Sequence, residues 1–174
     1  MALVNGIQKV DERIITTNTT KLDFDIINST NPYLFVFEDV EPNADDKYMY
    51  VRLRSGGTDY SSTNYVYHYL RTRSDQNSVI GNGRDSYSLW NLQEVGTYDG
   101  AQRSNYRFYI HGAQTSGKFT YISSESSVNY YTNWNFGNWI NGHVANAGQF
   151  NGITVGYVGG SIDSGKFRAY KIGT

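Results

Sequence analysis

The sequence predicts an all-β chain folded as a two-sheet antiparallel sandwich of jelly-roll type, with an N-terminal arm. Three observations predict it. Aromatic residues make up 16% of the chain, sixteen of them tyrosine, and such side chains favour strands. Eighteen glycines against two prolines supply many tight turns. Apolar and polar residues alternate with period two in segment after segment, the mark of strands with one buried face. A closed barrel is the competing architecture, because alternation does not set strand order.

Residues 1–20 read as an arm and 21–174 as a single β-sandwich domain, since no composition break or linker divides the chain. Leu3, Val4, Ile7 and Val10 are the arm's candidate docking positions. Ile7 to Ile15 suits either an uncapped helix or an extended segment laid on a sheet edge. From Lys21 the alternation is clear: Leu22, Phe24 and Ile26 share a face opposite Asp23 and Asp25. Tyr33 to Phe37 is continuously apolar, as a central strand would be. Glu38 to Asp46 reads as an acidic turn containing Pro42. Met49, Val51 and Leu53 form the apolar face of the next strand, which Ser55-Gly56-Gly57 ends.

Tyr65 to Arg71 sets Val66, His68 and Leu70 against Tyr65, Tyr67 and Tyr69. Short strands follow at Ser86 to Leu92, Asn105 to His111 and Lys118 to Ser123. Ser123 to Gly152 shows the least regular pattern. Ile153 to Val158 and a closing strand around Phe167, Ala169 and Lys171 complete nine to eleven strands.

Composition limits the chemistry. The absence of cysteine removes disulfides, thiolate metal sites and cysteine nucleophiles. A net charge of −1 argues against nucleic acid as a partner. The charge is uneven: residues 1–46 carry nine acidic and three basic side chains, and 47–118 carry nine basic and five acidic. Either these intermix on the surface, or an acidic N-terminal region lies against an arginine-bearing surface of its own chain or a neighbour's. Asn5, Gly6, Gln8 and Lys9 interrupt any apolar leader near the start, and no run reaches bilayer length, so no membrane insertion is expected.

No catalytic residue, metal ligand or cofactor is expected. His68, His111 and His143 are too scattered for a zinc set; His68 reads as a packed or interface side chain and His111 as a turn residue. Glu38, Asp39, Glu41, Asp45 and Asp46 do not follow the calcium-loop spacing. Glu38, Glu94 and Glu125 are the only long carboxylates placed for glycoside hydrolysis, and no motif around them calls for it. Trp134, Phe136 and Trp139 lie among asparagines. They suit a subunit contact, core plugs beneath a loop, or a glycan surface on which rings stack against sugars.

Three stretches carry a resemblance: Tyr33-Leu34-Phe35-Val36-Phe37-Glu38-Asp39-Val40-Glu41-Pro42, then Met49-Tyr50-Val51-Arg52-Leu53-Arg54-Ser55-Gly56-Gly57, and Gly159 to Ile172 with its Phe167-x-x-Tyr170 core. Together they resemble a jelly-roll-like β-sandwich family of tailed-bacteriophage virion structural proteins, over about residues 30–174. Relatives more often carry glycine where this chain has Lys171. The resemblance implies a non-enzymatic virion protein, displayed on the capsid or tail as a decoration or tail-associated subunit and anchored by its arm. Its implied partners are other virion proteins and further copies of itself, as in a trimer. The competing function is a lectin-like module of a tail fibre that binds a host surface glycan.

Overall fold

The computed structural model describes residues 6–44, 47–74, 76–94, 103–130 and 134–173. Among them are thirteen strands and no helix: β1 (Ile7–Ile15), β2 (Lys21–Phe24), β3 (Tyr33–Pro42), β4 (Tyr48–Ser55), β5 (Thr58–Asp59), β6 (Tyr65–Arg73), β7 (Gln76–Tyr87), β8 (Trp90–Glu94), β9 (Ser104–His111), β10 (Thr120–Tyr130), β11 (Trp134–Val144), β12 (Gly152–Tyr157) and β13 (Ile162–Ile172). An eight-stranded sheet runs β1-β13-β3-β9-β10-β11-β6-β7 and packs on a sheet of β2-β12-β4, where β5 and β8 both pair with β4. Within these, the chain crosses between the rows β1-β13-β3-β9 and β2-β12-β4-β8 at every step in sequence except β4 to β8, which pair in one sheet. That is the jelly-roll path of two interlocked Greek keys. The hairpins β6-β7 and β10-β11 are additions that widen the first sheet beyond β9.

The core forms where the alternating faces meet. Phe24, Phe35, Phe37, Phe108 and Phe167 are fully buried and interlock, with ring centroids 4.8 Å apart for Phe37–Phe167 and 5.0 Å for Phe35–Phe108. Burying each such ring contributes about 2 kcal/mol. Met49, Val51 and Leu53 face them from the smaller sheet. Trp90 sits edge-on to Tyr65 at 5.0 Å, and its indole fills the space above Gly142. A Cβ there would meet the Val66 carbonyl oxygen at 2.5 Å, so only glycine lets β6 and β8 approach together.

Three sequence expectations need correction. The acidic stretch is not a turn from Glu38 to Pro42: β3 continues to Pro42 through a bulge at Asp39, whose φ is +53°, and Glu41 is buried. The chain bends at Asn43 and Ala44, and Asp45 and Asp46 lie outside the described residues. Ser123 to Gly152 is irregular only in part, because β10 and β11 pair over eleven consecutive positions up to Val144, and the stretch without strand among the described residues is 145–151. The strand expected at Ser86 to Leu92 is split between β7 and β8. The arm region contains β1, which pairs with β13 from Ile7↔Ile172 to Ile15↔Gly165, and the Arg13 guanidinium lies 4.4 Å from the Phe24 ring centroid.

The charge asymmetry resolves within the chain. Asp23 and Asp25 reach Arg54, while Glu12 and Glu38 flank Arg168. Acidic N-terminal strands therefore lie against arginines of the chain's own later strands.

Candidate functional site

The outer face of the eight-stranded sheet is covered by no second layer of the described residues. Its pairing registers bring Arg168, Val36, Arg107, Glu125, Trp139 and Leu70 into one line across six strands. The inward neighbours on β9, Tyr106, Phe108 and Ile110, are buried, which fixes Asn105, Arg107 and Tyr109 on the outside. On β11 the buried Phe136, Asn138 and Ile140 likewise turn Asn135, Gly137, Trp139 and Asn141 outward.

Trp139 is the largest of these outward side chains and is 46% exposed. Two residues earlier stands Gly137, where a Cβ would lie 3.3 Å from Trp139 Cη2 and 3.0 Å from Thr72 Oγ1. The indole thus leans back along its own strand over bare backbone. The glycine makes room for a ring held against the sheet with its far side in solvent.

Arg107 and Glu125, opposite each other on β9 and β10, form an ion pair beside this ring. The Asp39 bulge positions the far wall. Its N–H donates to Asn105 Oδ1 at 3.1 Å, and Glu38 just before it accepts from Arg168 at 2.8 Å. Between Glu38, Asn105, Arg107, Glu125, Ser127 and Trp139 lies a groove of about 540 Å³. A second hollow of about 220 Å³ adjoins it across Arg107, Glu125 and Trp139, reaching Tyr109, Ser123 and Asn141. A third, of about 450 Å³, continues from Ser123 and Asn141 to Tyr121 and all three histidines.

The histidines lie on the outer face. His68 is exposed, not packed in the core; its neighbours Tyr65 and Tyr67 take the inward positions. His143 stacks on Phe119 with centroids 5.4 Å apart, and His111 stacks on Tyr109 at 5.8 Å. Burial pushes the His111 imidazole down, which favours its neutral form, with one donor and one acceptor nitrogen. Among the described residues, no three His, Cys, Asp or Glu side chains converge as a metal site.

Comparison with protein-family models, with curated proteins and with solved structures finds no match. The resemblance to phage virion proteins therefore stands on its strand and turn motifs alone.

Of the residues singled out in the sequence, Trp139, Glu38 and Glu125 line the first groove and the three histidines line its continuation. Among the described contact candidates, Trp139 is the one that reaches it. Phe136 does not: the pleat of β11 turns it inward, 3% exposed, so it serves neither a subunit nor a glycan contact. Trp134 opens β11, but its side chain lies outside the described residues, as do Leu3 and Val4. Ile7 and Val10 belong to β1, where Ile7 is 66% exposed and Val10 packs against the core. Arg107, Tyr109 and Tyr121 belong to no motif, because the alternation marks the buried half of each strand and leaves the outward half unconstrained. Their signal is an aromatic or arginine recurring at the outward positions of neighbouring strands.

Proposed function

We propose that the chain is a non-enzymatic binding module that holds a host surface glycan on the outer face of its eight-stranded sheet, as part of a bacteriophage particle. The observation that carries this reading is the Trp139 indole, laid over Gly137 and exposed on one side. A sugar ring has apolar C–H faces and a rim of hydroxyls. A tryptophan plane covers the former, while the carboxylate, guanidinium and amides of Glu125, Arg107, Asn105 and Asn141 meet the latter. The exposed aromatic and apolar side chains of this face, Trp139, Leu70, Val79 and Tyr121, are spread along it among polar groups and form no single apolar centre of the kind a protein partner buries. The placement on a virion comes from the motif resemblance.

The test is binding of the purified protein to an array of bacterial surface polysaccharides, alongside Trp139→Ala. The wild type should bind a subset of glycans, and the variant should lose at least about tenfold in affinity with unchanged melting temperature. The bound glycan should keep its chain length on incubation. Equal binding by both proteins would reject the site, and shortened chains would reject the non-enzymatic part.

A second reading, a decoration subunit that docks and self-associates through its N-terminal region, is favoured by β1. It is an edge strand with Ile7 and Ile14 each 66% exposed.

A further inference from the structure

We infer that the site takes an extended stretch of polysaccharide, lying lengthwise along β9, β10 and β11, and not a single terminal sugar; this rests on the glycan reading above. The three hollows are not separate. The first and second share Arg107, Glu125 and Trp139, and the second and third share Ser123 and Asn141. From Ser127 to Tyr121 on β10 the groove runs six residues, about 20 Å at the rise of a strand. That length exceeds a single ring several-fold.

The chemistry repeats along it. Pairing registers group the outward side chains into successive cross-strand rows, about 7 Å apart because alternate residues face out. Arg107, Glu125 and Trp139 form one row. Tyr109, Ser123 and Asn141 form the next, and His111, Tyr121 and His143 the third. Each row therefore holds one aromatic hydroxyl or indole ring together with two groups able to bond hydroxyls. The ring moves from β11 to β9 to β10 between rows, so it suits a ligand whose units rotate about their linkages. A pocket for one terminal sugar would instead gather its aromatic and polar groups around a closed end. Tyr121 is 49% exposed at the far end, two rows from Trp139, beyond the reach of a ligand confined to the first row.

The experiment uses the full chain and oligosaccharides of one to six units cut from whichever array polysaccharide it binds, measured by calorimetry. Affinity should rise with each added unit up to three or four and then level, with the trimer at least about tenfold tighter than the monomer. Tyr121→Ala, tested beside wild type for an unchanged melting temperature, should weaken the tetrasaccharide about tenfold, with a loss that shrinks as the ligand shortens. A monosaccharide that binds as tightly as the tetrasaccharide, or a Tyr121→Ala loss equal at every length, overturns the lengthwise groove and leaves the glycan reading standing. Failure of the wild type to bind any arrayed glycan removes both.

Discussion

Arg54, on the smaller sheet, shows how much one charged side chain organises. It is 5% exposed, and its guanidinium meets Asp25 at 2.8 Å, Asp59 at 2.6 Å, Asp23 at 2.9 Å and the Thr154 hydroxyl at 2.9 Å. Those partners come from β2, β5 and β12 and the segment after β2, so one cation ties together the edge of the sheet. Burial alone would raise the Asp59 carboxyl; the Thr154 hydroxyl and the Lys21 ammonium outweigh it and hold it below its ordinary value. A carboxyl depressed in the folded state stabilises above its unfolded pKa of about 4 and loses that contribution as pH falls through the folded value. Arg54→Met leaves Asp25 without its cation and Asp23 and Asp59 with Lys21 in its place, and because these carboxylates are part exposed the loss is about 1–2 kcal/mol. Urea unfolding at neutral pH should show that loss, and it should shrink as the pH falls below about 4. A variant as stable as the wild type would show the cluster to be idle. None of this was legible in the sequence, where Arg54 stood among alternating residues as one more outward charge.

At the scale of elements, strands were legible where hydrophobicity and burial share one period. Met49, Val51 and Leu53, and Tyr106, Phe108 and Ile110, are all buried as their alternation demands. In β10 and β11 the two periods part company. Ser124, Ser126 and Asn138 occupy buried positions, with Asn138 Nδ2 donating to Ser126 Oγ at 3.2 Å, so an inward face reads as polar. β7 hid for the opposite reason: Val79 to Tyr87 is exposed almost throughout, and no face of it needs to be apolar. Since those strands hold half of the groove, the site was less legible than the fold. β1 carries its own prediction. Its exposed Ile7 and Ile14 border an unpaired edge, a liability that proteins commonly cover by association. If β1 is the contact, the wild type should sediment as an oligomer, and the double variant Ile7→Lys, Ile14→Lys should sediment as a folded monomer. A wild type that stays monomeric at high concentration would rule that contact out.

Across the whole molecule, the many tyrosines set the alkaline limit of stability. Burial drives the Tyr65, Tyr106 and Tyr157 phenols well above their usual value and pushes Tyr67 up to about 12. The folded state keeps these protons after the unfolded chain would release them near pH 10. Stability from this source is complete below about pH 10 and is lost as the pH climbs through the folded values. Melting temperature should therefore hold level from neutral to mildly alkaline pH and drop steeply above about pH 10, in step with phenolate absorbance. Tyr106→Phe should soften that drop; an identical profile would place the titration elsewhere.

One small contact has a wider consequence. Gly173 N–H donates to the Gly6 carbonyl at 2.9 Å, so the polypeptide enters and leaves the sandwich at a common point beside β1 and β13. A module with neighbouring entry and exit can be spliced into a surface loop of a larger host without prying any strand from its sheet. The groove on β9, β10 and β11 would ride along intact, a graftable grip whose orientation is governed by the splice alone.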